Sequence, residues 1–300
     1  MVKMFSTNEE RVCMLFNRDG EFTKDGKKYV VDIAGKPGCY KGEPKTDVYV
    51  RGIEKRTGET LELKISYKQS NADFIENKMS AERAKQILGN DWVNIIVDST
   101  TQLEDVFRSL PLIFCEKRGR TQRGSFTLGW KFELLRVKSG VLSERLLLTE
   151  SEMLDVYSGT NLDHDKRDAF VQGEQIPNSG VCNYAYEELF HVDSAQEVVD
   201  RLIPIEKYVL QNPKMYFACK ALNYRSFEDK FDGNRPLSVY VDWYISNGLL
   251  CHNIIFDKPL MVGGNEACDN LRSCLNELGI SNTAELRDSM VADKGIIYRG

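Results

Sequence analysis

The chain has no C-x-x-C pair, only three histidines (164, 191 and 252) and no apolar run longer than a strand. Its eight cysteines, at 13, 39, 115, 182, 219, 251, 268 and 274, are scattered, so a structural zinc site is not expected. Three histidines leave little for His-based catalysis and argue against an H-N-H nuclease. The longest apolar runs, such as Leu249 to Phe256, are too short to span a bilayer. The first ten residues carry acids early and contain no apolar stretch of signal-peptide length, so secretion is not expected. The expectation is a cytoplasmic protein with reduced thiols. Eight prolines and 22 glycines in 300 residues exclude collagen-like and low-complexity chains. What is present, 42% hydrophobic residues, is enough for a large core without disulfide staples.

Net charge is −5, which gives no global case for nucleic-acid binding. The charge is uneven, +5 over residues 1–138 and −10 over residues 139–300. The densest basic stretch runs from Glu116 to Lys138. One face of such a molecule can hold a polyanion. A solvated basic hairpin fits the same charges.

Patterning gives an order of elements. Residues 6–17 read as a short helix. Asp25-Gly26 is a turn signal, followed by a strand over Lys28–Ala34 and a Gly/Pro-rich link. Thr46–Ile53 is a β-branched strand, Arg56–Glu59 a hairpin turn, and Thr60–Tyr67 a strand that alternates cleanly, with Leu61, Leu63 and Ile65 on one face and Glu62, Lys64 and Ser66 on the other. Asp73–Leu88 reads as a helix ended by Gly89. The apolar run Trp92–Val97 reads as a buried parallel strand reached by a right-handed crossover, and Thr101–Glu104 as a capping box. Further on, Ser125–Val137 and Val141–Leu148 suggest a hairpin, Thr149 and Ser194 cap short helices, and Asn247-Gly248 joins two strands. With no repeat and no flexible linker, the expected fold is α/β (decorated α+β), one interwoven body.

One constellation carries chemistry. Asp47 begins a strand whose hairpin neighbour carries Glu62 and Lys64 on one face, so these groups are expected to converge. Two carboxylates can hold a hard cation such as Mg²⁺, and a lysine beside them suits phosphodiester hydrolysis. The pattern [D/E]-x-K occurs five times, at Asp25, Glu43, Glu62, Glu76 and Glu228. Only Glu62 lies in an alternating strand. Asp25 is in a turn, Pro44 interrupts the second match, Glu76 reads as helical and Glu228 lies in a polar segment. A solvent-facing Glu–Lys pair on an amphipathic strand is the plain alternative.

Pro44-Lys-Thr-Asp47 followed by Glu62-Leu-Lys64, within helix, three strands, helix and strand, resembles the PD-(D/E)XK nuclease superfamily over roughly residues 6–110. The sequence departs from the signature in having two residues between Pro44 and Asp47. The resemblance implies a restriction-endonuclease-like core at 1–110, a mixed sheet flanked by helices. Asp47, Glu62 and Lys64 would be its catalytic residues, Asp47, Glu62 and Leu63 its metal positions, and Mg²⁺ its cofactor. Glu43 is either a further acid near the metal or a loop residue. Lys68 and Gln69 either contact DNA or begin the polar turn that follows. Lys117, Arg118, Arg120, Gln122 and Arg123 have side chains able to read bases or hold phosphates. By analogy, the length and decorated second half look most like a type II restriction endonuclease, with 111–300 supplying DNA recognition and a two-fold homodimer surface. A repair or recombination nuclease of the same superfamily, and a non-catalytic DNA-binding protein on this fold, are the alternatives.

Overall fold

A computed structural model describes residues 7–16, 20–40, 42–69, 74–188 and 191–300, without the side chains of Thr7, Gln69 and Glu188. Ser6, Asn17 and Asp73, at the ends of two expected helices, fall outside this description, as does the expected polar turn after Gln69. The fold is mixed α and β. The chain forms two compact units, one of Met1–Ala72, Gln86–Gly89 and Leu148–Pro213, the other of Asp73–Lys85, Asn90–Leu147 and Lys214–Gly300. The division is discontinuous and does not fall at residue 110. Elements are numbered along the whole chain.

The first unit is built on a sheet ordered β1-β2-β3-β4-β11-β12. Its first four strands, β1 (Glu21–Lys24), β2 (Lys27–Gly35), β3 (Val48–Glu54) and β4 (Thr60–Gln69), form an antiparallel meander. Asp25 and Gly26 both have positive φ (51° and 75°), as a two-residue I′ hairpin requires. β11 (Tyr184–Glu188) runs parallel to β4, and β12 (Ile203–Pro204) pairs antiparallel with β11. Alternation decides the two faces. Val48, Val50, Leu63, Ile65 and Tyr67 are buried in one cluster with Tyr186, with Val12 and Phe16 at α1 (Thr7–Leu15) and with Val198 and Val199 of α7 (Ala195–Asp200). The other face carries Asp47, Tyr49 and Arg51 beside Glu62, Lys64, Ser66 and Lys68. There Tyr49 and Ile33 pack on Val171 and Ile176, around the small hairpin of β9 (Phe170–Val171) and β10 (Glu174–Gln175). Helices α5 (Glu150–Ser158), α6 (His164–Arg167) and α8 (Ile205–Gln211) complete this unit. The expected caps at Thr149 and Ser194 are formed, the first as a full capping box.

The second unit is built on a sheet ordered β14-β13-β7-β15-β16. Its long members are β7 (Ser125–Leu135), β13 (Met215–Arg225), β15 (Val239–Ser246) and β16 (Leu249–Ile255), with β14 (Lys230–Phe231) at one edge. Short strands β5 (Phe74–Glu76), β6 (Ile113–Phe114), β8 (Ser143–Leu146) and β17 (Ile297–Tyr298) extend it. Phe132 stacks on Phe217 across β7 and β13, and α9 (Gly264–Glu277) buries Cys268, Leu271, Cys274 and Leu275. Asn247 and Gly248 make the expected turn, both with positive φ.

Four expectations are corrected. Trp92–Val97 is not a strand: α3 (Trp92–Thr101) is a helix, and its buried Ile95, Ile96, Ser99 and Thr100 form a helical stripe whose hydroxyls bond back to the carbonyls of Ile95 and Ile96. The parallel neighbour of β4 is therefore β11. Thr101 ends that helix and is not a cap; α4 (Glu104–Ser109) begins after Leu103. Asp73–Leu88 is divided between β5 and α2 (Ala81–Leu88), where the Ser80 hydroxyl accepts from the Arg83 amide. Finally, β7 and β8 do not pair as a hairpin. Each pairs with β13.

Candidate active site

The β3–β4 register places the site residues. Ile53 faces Thr60, Arg51 faces Glu62, Tyr49 faces Lys64 and Val48 faces Ile65. Asp47 lies one residue further on, level with Ser66. Its amide donates to the Ile65 carbonyl (2.8 Å), and its Oδ2 accepts from the Tyr67 amide (2.8 Å) and, at longer range, the Ser66 hydroxyl (3.4 Å).

Asp47, Glu62 and Lys64 do share a face, but the register does not bring Asp47 and Glu62 together. Ser66 lies four residue steps beyond Glu62, about 13 Å along a strand. The Glu62 carboxylate is engaged elsewhere, accepting from the Tyr49 hydroxyl. Lys64 is held by its main chain: its amide donates to Asn183 Oδ1 (2.8 Å), and its carbonyl accepts from the Asn183 amide (2.9 Å). Leu63 lies in the core, opposite Val50. This register does not bring Asp47, Glu62 and Leu63 together as one set. The strand spacing that separates Asp47 from Glu62 is also legible in the chain: counting rungs outward from the turn at Arg56–Glu59 sets Asp47 against residues 66–68.

The groups around Asp47 are different ones. Lys68 lies on the same face, two residues beyond Ser66, and its charge pulls the Asp47 pKa down. Glu187, paired with Lys68 on the parallel strand, accepts from the Tyr208 hydroxyl (2.9 Å). The Lys68 ammonium lies 5.7 Å from the centre of the Tyr157 ring. Glu9 of α1 contributes a second negative charge near Asp47 and pairs with Lys36 at 2.6 Å. Burial dominates over these charges and pushes the Asp47 carboxyl up to about 6. The same burial pushes the nearby Cys182 thiol up to about 11, so it is not a nucleophile.

This donor set suits a cation that takes one carboxylate and keeps its other positions for water and phosphate, the habit of Mg²⁺. Among the described residues, Asp47 Oδ1 accepts no hydrogen bond, and no group of three or more His, Cys, Asp or Glu side chains is arranged to enclose a metal.

The basic residues lie in the second unit. Lys117, Arg118, Arg120, Gln122 and Arg123 are all exposed, on the loop between β6 and β7. The Gln69 main chain ends β4, and its side chain lies outside the described residues. Among the described residues no helix is long and apolar enough to cross a membrane. Comparison of the chain with family models, curated proteins and solved structures finds no match.

Proposed function

We propose that the protein is a Mg²⁺-dependent endonuclease of double-stranded DNA, similar to the PD-(D/E)XK nucleases and working in the manner of a type II restriction enzyme. The observation that carries the reading is Asp47 at the mouth of an antiparallel hairpin, with a lysine on the same face of the next strand and a parallel strand beyond. The succession of helix α1, the antiparallel strands β2-β3-β4 and parallel β11 supports that reading. The lysine that serves Asp47 is Lys68, and Ser66 stands where the signature has its second acid.

A bound Mg²⁺ would neutralise the phosphate and acidify the attacking water. Asp47 would hold the ion through Oδ1, while the Tyr67 amide fixes the carboxylate through Oδ2. The Lys68 ammonium would stabilise the charge that builds on the phosphate during attack. The Tyr157 ring, 5.7 Å from the ammonium, sets the position of Lys68. Lys117, Arg118, Arg120, Gln122 and Arg123 would bind the duplex, and a homodimer would set one site on each strand of a palindrome. Lys68 is proposed here in the role expected of Lys64.

Ser66 favours one second reading, a protein that binds the duplex without cutting it, because it leaves one acid fewer beside the metal. A gel separates the two. Unmethylated phage DNA incubated with the protein and Mg²⁺ should give discrete bands that EDTA abolishes. A smear or nicks would point instead to a repair or non-specific nuclease. DNA left intact alongside a retarded complex would favour the binding protein.

A further inference from the structure

The loop between β6 and β7 is an ordered hairpin. Arg118 and Thr121 exchange two backbone hydrogen bonds of 3.0 Å, and Gly119 has a φ of 58°, as the first central position of a II′ turn requires. At its base Phe227 lies against Gly124, where a Cβ would come within 2.2 Å of the ring.

Cations elsewhere on this unit are widely neutralised. Arg83 pairs with Glu76 (2.8 Å), Lys131 with Glu133 (2.5 Å), Lys138 with Glu144 (2.6 Å), Arg225 with Glu228 (2.7 Å) and Arg272 with Asp229 (2.6 Å). On the hairpin, no ion pair forms at Lys117, Arg118 or Arg120 among the described residues, and Arg123 reaches Glu116 only at 4.0 Å. The tip is therefore a concentrated positive charge held on a closed turn.

Its arginines are of two kinds. The Arg118 guanidinium sits 5.1 Å from the Tyr298 ring centre, and that of Arg123 sits 5.4 Å from Phe227. Those rings fix both groups on the flanks of the hairpin. Arg120, at the apex, and Gln122 have no such anchor and extend into solvent.

We propose that this hairpin enters the major groove of a DNA duplex and divides the work of recognition: Arg118 and Arg123 clamp phosphates, while Arg120 and Gln122 read base edges. The choice of partner rests on the nuclease reading above. A two-stranded ribbon fits the major groove, and arginine and glutamine match guanine and adenine edges there through paired hydrogen bonds. Ring-held guanidinium groups on the flanks suit sequence-independent phosphate contacts.

The test is selection from a random-sequence duplex pool in EDTA, followed by binding titrations at several salt concentrations. The wild-type chain should enrich one motif. Arg120→Ala and Gln122→Ala should each lose preference at specific base pairs, by roughly 5- to 150-fold against the wrong base. Arg118→Ala and Arg123→Ala should keep the motif, bind all duplexes more weakly, and flatten the dependence of log affinity on log salt by about one each. The proposal is overturned if the wild type enriches no motif, if Arg120→Ala and Gln122→Ala leave the motif intact, or if Arg118→Ala changes it. Asp47→Ala, in the other unit, should select the same motif as the wild type. Intact DNA in the cleavage assay with the motif retained would therefore end the nuclease reading and leave this one standing.

Discussion

At the scale of single residues, the account turns on which lysine serves Asp47. Lys64 lies opposite Tyr49, while Lys68, more than Lys36, is the lysine whose charge lowers the Asp47 carboxyl pKa. Lys68→Ala should lower the single-turnover cleavage rate by roughly 10²-fold or more with duplex binding retained, and Lys64→Ala should lower it by less than about tenfold. Equal losses in the two variants would refute the assignment. Asp47 itself predicts a pH dependence. Its folded pKa, about 6, lies above the ordinary 3.8, so the unfolded chain ionises first and stability falls as pH rises from about 4 to about 6, then levels. The full difference corresponds to roughly 3 kcal/mol. Asp47→Asn should therefore raise the melting temperature at pH 7.5 and leave it nearly unchanged at pH 4, which calorimetry reads directly. A cation must displace the same proton, so Mg²⁺ affinity by titration calorimetry should fall about tenfold per pH unit below 6. Affinity that is flat across pH 5–7 would remove Asp47 as the ligand.

At the scale of elements, the site depends on the seam between β4 and β11. Asn183 extends that seam past the last ladder pair: its side chain accepts from the Lys64 amide (2.8 Å) and donates to the Glu62 carbonyl (3.0 Å). Asn183→Ala should cost about 1–3 kcal/mol in urea unfolding, since it leaves both groups without that partner. Gly180 is a sharper case. A Cβ there would sit 1.8 Å from the Lys166 carbonyl oxygen, so Gly180→Ala should destabilise by more, with the loss visible as a lower urea midpoint. The elements differ in how legible they are. Strands β2, β3 and β4 of the meander could be read because their signals are local: Asp25-Gly26, the alternation of Leu61, Leu63 and Ile65, and the turn at Arg56–Glu59; the four-residue β1 carried no such signal. β11 could not, because Tyr184–Glu188 is a five-residue strand whose partner lies more than a hundred residues earlier, and nothing local announces that pairing. Trp92–Val97 misled for a related reason. A short β-branched apolar run fits a buried strand or a helical stripe equally, and only Ser99 and Thr100, four residues further along the same stripe, separate the two.

At the scale of the whole molecule, two units interleave along the chain, and the candidate catalytic groups and the basic hairpin belong to different ones. Asp47 could be read from sequence as a candidate residue because it opens a strand next to an alternating neighbour. Its partners Glu9, Lys36 and Lys68 became visible only with the register and the packing of α1, since they come from three separate segments. The excess positive charge of residues 1–138 is likewise shared between the units, so the net charge of −5 conceals both a lysine-rich candidate site and a concentrated basic tip. The central claim is that Asp47 anchors a metal-dependent phosphodiesterase. Its most direct test is cleavage of unmethylated phage DNA by wild type and Asp47→Ala side by side, with Mg²⁺ and with EDTA, and duplex binding measured in parallel. The account predicts discrete Mg²⁺-dependent bands from the wild type and intact DNA from Asp47→Ala, with binding unchanged. Cleavage by Asp47→Ala at the wild-type rate, or no cleavage by the wild type in any lane, would contradict it.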